Sequence, residues 1–162
     1  MKTTLAILAP LFVSAFAFAA PEAKVAMKLS PAGSFSATTK TINGTAKKNK
    51  DGSVEASKIE IPLDALDTGI ALRNEHMKTK HLETAKFPNA IVTDAKGKDG
   101  KGTATLEVHG VKKPITGTYA IDGNELVVNF PINVADFNVG KIRYMGVGVK
   151  EEATVEARIP IK

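Results

Sequence analysis

The sequence contains no cysteine and no tryptophan, and aromatic residues make up only 6% of its 162 positions. Without cysteine the chain cannot form a disulfide, a thiolate metal site or the acylated cysteine of a bacterial lipoprotein. Nucleic-acid binding usually requires a basic face with stacking aromatic rings, and the only tyrosines are Tyr119 and Tyr144. The net charge of +5 therefore indicates a solvated basic surface, which an anionic membrane would attract weakly, and no nucleic-acid partner.

The first nineteen residues have the organisation of a secretory signal peptide. Lys2 supplies a positive charge, residues 5–18 form an apolar run, and Ala17-Phe18-Ala19 is a small-residue cleavage motif. The apolar run is short for a membrane span, and no stop-transfer segment follows it. We predict cleavage after Ala19, export to a bacterial periplasm and one mature domain of residues 20–162.

Alternation of apolar and polar residues dominates the rest of the chain and predicts β-strands with one buried and one wetted face. Asp-Gly pairs at residues 51–52, 99–100 and 122–123 are typical of hairpin turns. Strands joined in this way favour an all-β fold, and we predict an eight-stranded antiparallel up-and-down barrel. The predicted strands are residues 24–30, 34–44, 53–63, 89–96, 102–110, 114–121, 125–134 and 154–161.

Two long connections interrupt the strands. Residues 70–85 contain few apolar residues and no alternation, so we expect a short helix or an ordered loop that crosses one end of the barrel before Phe87 and Pro88. The second connection covers residues 135–150. Long connections in a compact barrel commonly carry the function.

The charged residues of the strands identify the face that meets water. Lys58, Glu60, Glu107, Glu156 and Arg158 alternate with aliphatic residues. An outer-membrane barrel would instead place apolar residues outside, between girdles of aromatic rings. We therefore predict a soluble barrel with an apolar interior.

Three small residues, Ala104, Gly117 and Ala157, fall at inward-facing positions and leave space along the barrel axis. A barrel of eight strands is wide enough to be filled by its own side chains or to hold one slender ligand. These residues alone favour neither a filled core nor a ligand.

The string Asp67-Thr68-Gly69 spells the catalytic loop of an aspartic protease. Such an enzyme needs two facing carboxylates that share a proton, and this string occurs once and is followed by charged residues. We interpret it as a turn, in which Asp67 caps and Gly69 bends the chain after the preceding strand. His76, His81 and His109 lack the spacing of a zinc site, and we expect no metal, no cofactor and no catalysis.

The chain carries five motifs in order: Thr68-Gly69, Arg73-Asn74-Glu75-His76, Phe87-Pro88, His109-Gly110-Val111 with Pro114, and Ala135-Asp136-Phe137. In this register they resemble the bacterial YceI-like family over about residues 33–161. The resemblance implies a lipocalin-like antiparallel barrel, exported to the periplasm, that holds a polyisoprenoid or similar long-chain amphiphile without catalysis. Two departures are a short N-terminal strand pair without the family's His-Ser pair, and Asn74 in place of the commoner aspartate.

From the strand alternation and the two connections we predict a set of ligand-binding residues. The tunnel would be lined by Phe35, Ile59, Ile61, Leu63, Leu106, Val108, Val128 and Phe130. Its mouth would be covered by Leu72, Met77, Leu82, Phe137 and Met145. Arg73 and His76 are the polar residues predicted either to meet a ligand head group or to brace the lid against Asp136.

The sequence thus predicts a periplasmic carrier whose partner is a hydrophobic small molecule or lipid. The alternative is a ligand-free structural or stress-related barrel. Transient contact with a membrane surface and a homodimer that lengthens the tunnel end to end both remain open, as does the identity of the ligand.

Overall fold

The computed structural model describes residues 22–162, so the predicted signal peptide lies outside the described residues. The fold is all-β, as predicted, and its eight long strands correspond to the eight expected from the sequence. Two further strands of two residues each join the same sheet. The strands are β1 (Glu22–Ser30), β2 (Ser34–Thr39), β3 (Lys47–Lys48), β4 (Val54–Pro62), β5 (Asn89–Lys98), β6 (Lys101–Val108), β7 (Val111–Asp122), β8 (Glu125–Asn133), β9 (Arg143–Tyr144) and β10 (Val147–Pro160).

The strands form one antiparallel sheet in the order β2-β1-β10-β8-β7-β6-β5-β4-β3, with β9 paired to β10. The sheet curls until its two ends meet. Thr38 and Asp67 exchange two backbone hydrogen bonds of 2.9 Å, and Asn43 and Glu60 exchange two of 2.8 Å. These bridges join the β2 side to the β4 side and give the curled sheet the form of a lipocalin-like barrel.

The alternating strand faces explain where the core lies. Apolar side chains from every long strand turn inward and form three buried clusters, whose largest fully buried member is Ile59. The predicted hairpins at residues 98–101 and 122–125 are present, with Gly100 and Gly123 at positive φ. No helix within residues 22–162 is long and apolar enough to span a membrane.

The predicted lid is a helix that begins directly after the Asp-Thr-Gly string. Helix α1 (Ala71–His76) continues into a π-helical segment (Met77–His81), and together they cross one end of the barrel. The same end carries the turn between β1 and β2 and the connection from β8 to β10, because antiparallel strands alternate in direction. We call this end the mouth.

Several strand boundaries differ from the prediction, and the largest differences are at the end of β2 and the start of β10. Strand β2 ends at Thr39 and not at residue 44, because residues 40–46 leave β2 and pass close against β4 and the end of β10. Strand β4 ends at Pro62, which has no N–H to continue the ladder, and a 3-10 turn of Leu63–Ala65 follows. Strand β10 begins at Val147, so the second connection is shorter than expected.

Candidate ligand cavity

The barrel encloses a cavity of about 630 Å³, which lies within the range typical of small-molecule sites. Its walls are mostly aliphatic side chains from the inward faces of the strands. All fifteen residues that the sequence predicted for the site line this cavity, as do Ala104, Gly117 and Ala157. Contact of these residues with a ligand remains a prediction.

The end of the barrel opposite the mouth holds one of the buried clusters, whose side chains narrow the lumen there. Val54, Leu126 and Ile159 belong to a buried cluster there, against which Tyr119 packs. The ring of Tyr119 occupies the space beside Gly97, where a Cβ atom would lie only 2.5 Å from its Cε1. A ligand chain would therefore enter from the mouth.

Two connections meet at the mouth. The ring of His76 on α1 lies 6.1 Å from the ring of Tyr144 on β9, centroid to centroid, in an edge-on arrangement. Leu72 and Met145, predicted to cover the opening, both line the cavity but leave 48% and 86% of their surfaces exposed. The cover over the cavity is therefore incomplete.

Arg73 lies between the lid and the cavity. Its Nη2 donates a hydrogen bond of 2.8 Å to the Thr68 carbonyl, and its guanidinium lies 4.3 Å from the centroid of the Phe35 ring. Its Nε atom is buried and has no hydrogen-bond partner among residues 22–162. Arg73 therefore braces the lid against Thr68 and Phe35, and not against Asp136 as predicted.

The Asp-Thr-Gly string is a turn, as interpreted from the sequence. The Oδ1 atom of Asp67 accepts hydrogen bonds from Asn74 Nδ2 at 2.7 Å and from the Gly69 amide at 2.8 Å. These two bonds hold the pKa of the exposed Asp67 carboxyl below its ordinary value. In an aspartic protease the pKa of one of the two paired carboxyls is raised, so that it stays protonated. The pKa of Asp67 is instead lowered, which favours the charged carboxylate.

The contacts of Asn74 explain why an asparagine suits this position. Its Oδ1 accepts from the amide and the hydroxyl of Thr68 at 2.8 and 2.6 Å, while its Nδ2 donates to Asp67. An aspartate can accept but cannot donate at neutral pH. The asparagine therefore fits a position that faces both Thr68 and a second carboxylate.

The change Asn74→Asp is expected to weaken this turn, because two carboxylates would face each other without a hydrogen bond between them. Their repulsion raises pKa values in the folded protein, so stability is kept in acid and lost as the pH rises through the raised values. We expect a loss of about 1–3 kcal/mol near neutral pH in urea unfolding, and a smaller loss near pH 4. Asn138→Asp, at an exposed position of the other connection, is the control. An Asn74→Asp variant whose loss is equal at both pH values would contradict this account.

The three histidines have separate environments. Partial burial lowers the pKa of His81, and the neighbouring His76 and Lys80 lower it further. His109 has a side chain only 13% exposed and places Nε2 2.7 Å from a carboxylate oxygen of Glu83. Its ring packs on Phe87 with 4.6 Å between centroids. No group of three or more residues that could hold a metal occurs within residues 22–162.

Sequence reasoning missed several cavity residues near the mouth. Ile70, Tyr144, Val147 and Val149 all line the cavity. Val147 and Val149 belong to the early part of β10, whose glycines and charged residues obscure the alternation. The signal that could have found them is the alternation of Val147 and Val149 with Gly148 and Lys150, although Glu151 breaks this apolar face before Ala153 and Val155 resume it.

Comparison with solved structures shows the same fold at low identity. The protein is similar to Burkholderia cenocepacia BcnA, with a TM-score of 0.64 and 18% identity over 85% of this chain and 94% of that one. It is similar to a polyisoprenoid binding domain from Saccharophagus degradans implicated in plant cell wall breakdown, with a TM-score of 0.61 and 18% identity over 86% and 92%. The YceI protein of Campylobacter jejuni has a TM-score of 0.52 and 17% identity over 74% and 82%.

At the level of sequence, no curated protein matches the chain significantly. A family model does match it: the YceI-like domain covers residues 14–161, nearly the whole chain. Together with the barrel described above, this match shows that the chain belongs to the YceI-like family.

Proposed function

We propose that this protein binds an elongated apolar molecule, a polyisoprenoid or similar long-chain lipid, inside its barrel and carries it through the periplasm without chemical change. The observation that carries the proposal is the cavity of about 630 Å³, lined mostly by aliphatic side chains. Protein interiors are packed as densely as organic crystals and rarely leave voids of this size. The cavity therefore favours a ligand over a barrel filled by its own side chains.

The energetics suit a long hydrocarbon chain. Each methylene moved from water into an apolar site contributes about 0.8 kcal/mol, so about twenty buried carbons would supply roughly 16 kcal/mol. Association and ordering cost on the order of 4–15 kcal/mol. A ligand with one long chain can thus reach useful affinity without charged contacts along the tunnel.

Two further observations support the ligand class and the compartment. The similar domain from Saccharophagus degradans is described as polyisoprenoid binding, and it shares the fold at 18% identity. The predicted signal peptide, with cleavage after Ala19, supports export. The short strand β2, six residues long, favours a ligand shorter than the longest isoprenoids.

Native mass spectrometry of protein purified from a bacterial periplasm without detergent tests the proposal. We expect a mass increment above the polypeptide that organic extraction recovers as a long-chain lipid, which also identifies the ligand class. A bare polypeptide mass, together with no uptake of an added isoprenoid quinone, would contradict the proposal and leave a barrel whose function lies on its surface.

A further inference from the structure

Exposed apolar residues are concentrated at the mouth. Six large hydrophobic residues of the described chain are exposed, and all but Ile121 surround the cavity opening. We call this set the apolar rim: Ile70 at 52% exposure, Leu72 at 48%, Tyr144 at 57%, Met145 at 86% and Val147 at 41%. Single exposed hydrophobics are ordinary, but a contiguous group marks an interaction site.

The hairpin between β9 and β10 displays the most exposed member. Tyr144 pairs with Val147, so Met145 and Gly146 form a two-residue turn, with φ of +48° and +82°. Such turns favour asparagine or aspartate before glycine, and a methionine at positive φ is strained. Neither the turn nor the core requires an apolar side chain at this position. A partner that receives the methionine would explain its presence.

The charge around the rim is positive. Residues 28–36, 69–82 and 134–150, which carry or flank the rim residues, contain seven lysines or arginines and two carboxylates, a net charge of +5. The carboxylates Asp64, Asp67, Glu83 and Glu151 and the cation Lys86 adjoin these segments in the chain, and counting them leaves a net charge of +2. Lysines and arginines therefore outnumber carboxylates on the segments that carry the rim residues.

From this combination we infer that the mouth docks on the surface of a membrane containing anionic phospholipids. The rim residues would enter the boundary between headgroups and acyl chains, and the surrounding lysines would meet the phosphates. A protein partner would require a matching shape, whereas a bilayer accepts an apolar tip inside a ring of cations. Docked in this way, the opening of the cavity faces the hydrocarbon region.

Flotation with sealed vesicles of phosphatidylglycerol and phosphatidylethanolamine tests this inference, with phosphatidylcholine vesicles alongside. We expect the mature protein to float with the anionic vesicles and not with the zwitterionic ones. Binding should weaken in roughly 1 M salt, where the screening length falls to about 3 Å. Binding that is equal on both lipids and unaffected by salt would overturn the inference.

Matched variants locate the surface. Replacing Lys28, Lys141 and Lys150 by glutamine should weaken partitioning about a hundredfold, since each cation near the surface contributes about one kilocalorie per mole. The control replaces three exposed lysines of the opposite end by glutamine, Lys48, Lys50 and Lys101, and should retain binding. An equal loss in both triple variants would show that net charge alone acts, and would contradict a docking face at the mouth.

The apolar contribution has its own pair of variants. Met145→Ser combined with Leu72→Ser should weaken partitioning about tenfold or more, whereas Ile121→Ser at the opposite end should not. Partitioning of the double variant that equals the parent's would overturn the role of the rim. Because flotation reads association with vesicles and not uptake of a ligand, a negative result here leaves the proposed lumen ligand to be judged by mass spectrometry.

Discussion

Leu106→Arg is expected to abolish binding of an isoprenoid chain. Leu106 is 5% exposed, lines the cavity, and belongs to the same buried cluster as Phe130 and Val155. A guanidinium at this position would place a charge against the hydrocarbon of the ligand, and burying an unpaired charge costs several kcal/mol. Uptake of an added isoprenoid quinone, followed by native mass spectrometry, measures the effect. A folded Leu106→Arg protein that still takes up the quinone would rule out the lumen as the binding site.

A second variant avoids a buried charge, because Leu106→Arg can also fail to fold. Ala104 lies opposite Ile115 on the neighbouring strand, and both line the cavity. In Ala104→Phe a phenyl ring would occupy lumen space that about three or four methylenes of the ligand would otherwise fill. At about 0.8 kcal/mol for each, affinity should fall roughly a hundredfold.

The matched control for Ala104→Phe is Ala120→Phe. Ala120 lies on β7 next to Tyr119, and its side chain is exposed outside the barrel. The two variants carry the same substitution on opposite faces of the sheet, so a difference in binding separates the lumen from the outer surface. Thermal unfolding of both proteins checks that they remain folded. Equal affinity of the two variants for the quinone would contradict a ligand in the lumen.

Much of the barrel could be predicted because one physical rule governs it. Alternation such as that of Ile59 and Ile61 with Lys58 and Glu60 identifies the inward face wherever one side of a sheet meets water. The cavity lining follows from the same rule, which is why the inward residues named from sequence all line the cavity. The helix after Gly69 could be located, although not bounded, because the alternation stops there.

Other features depend on contacts between residues far apart in the chain. The end of β2 at Thr39 depends on the approach of residues 40–46 to β4 and β10. The burial of His109 depends on Glu83, twenty-six residues away, and the role of Asn74 depends on its facing Asp67. Local patterning carries no information about such pairs, so the sequence could place these residues on elements but could not give them partners.

Gly117 shows the same limit and carries the largest expected effect on stability. The sequence predicts that it is one of three small residues that leave space in the lumen. It lines the cavity, but a Cβ atom at this position would lie 2.4 Å from the Asn129 carbonyl oxygen and 2.7 Å from the Phe130 Cβ. The glycine therefore also permits a close approach of β8 to β7. Gly117 pairs with Gly102, which pairs with Gly97, so three neighbouring strands carry glycine at one level.

Gly117→Ala should therefore destabilise the barrel by about 3 kcal/mol, at the upper end of the usual cost of overpacking. The obstructing atoms are a backbone carbonyl oxygen and a Cβ, so no side-chain rotation can relieve the clash, and β8 must move. Gly123→Ala is the control, since Gly123 has no heavy atom within 4 Å of the added Cβ and only its φ of +58° opposes alanine. That strain costs about 1 kcal/mol. Urea unfolding measures both losses, with the expectation that the dependence of the unfolding free energy on urea concentration is the same for both variants. If Gly117→Ala costs no more than Gly123→Ala, the strands are free to separate at this level, and the close approach of β8 does not hold the barrel together.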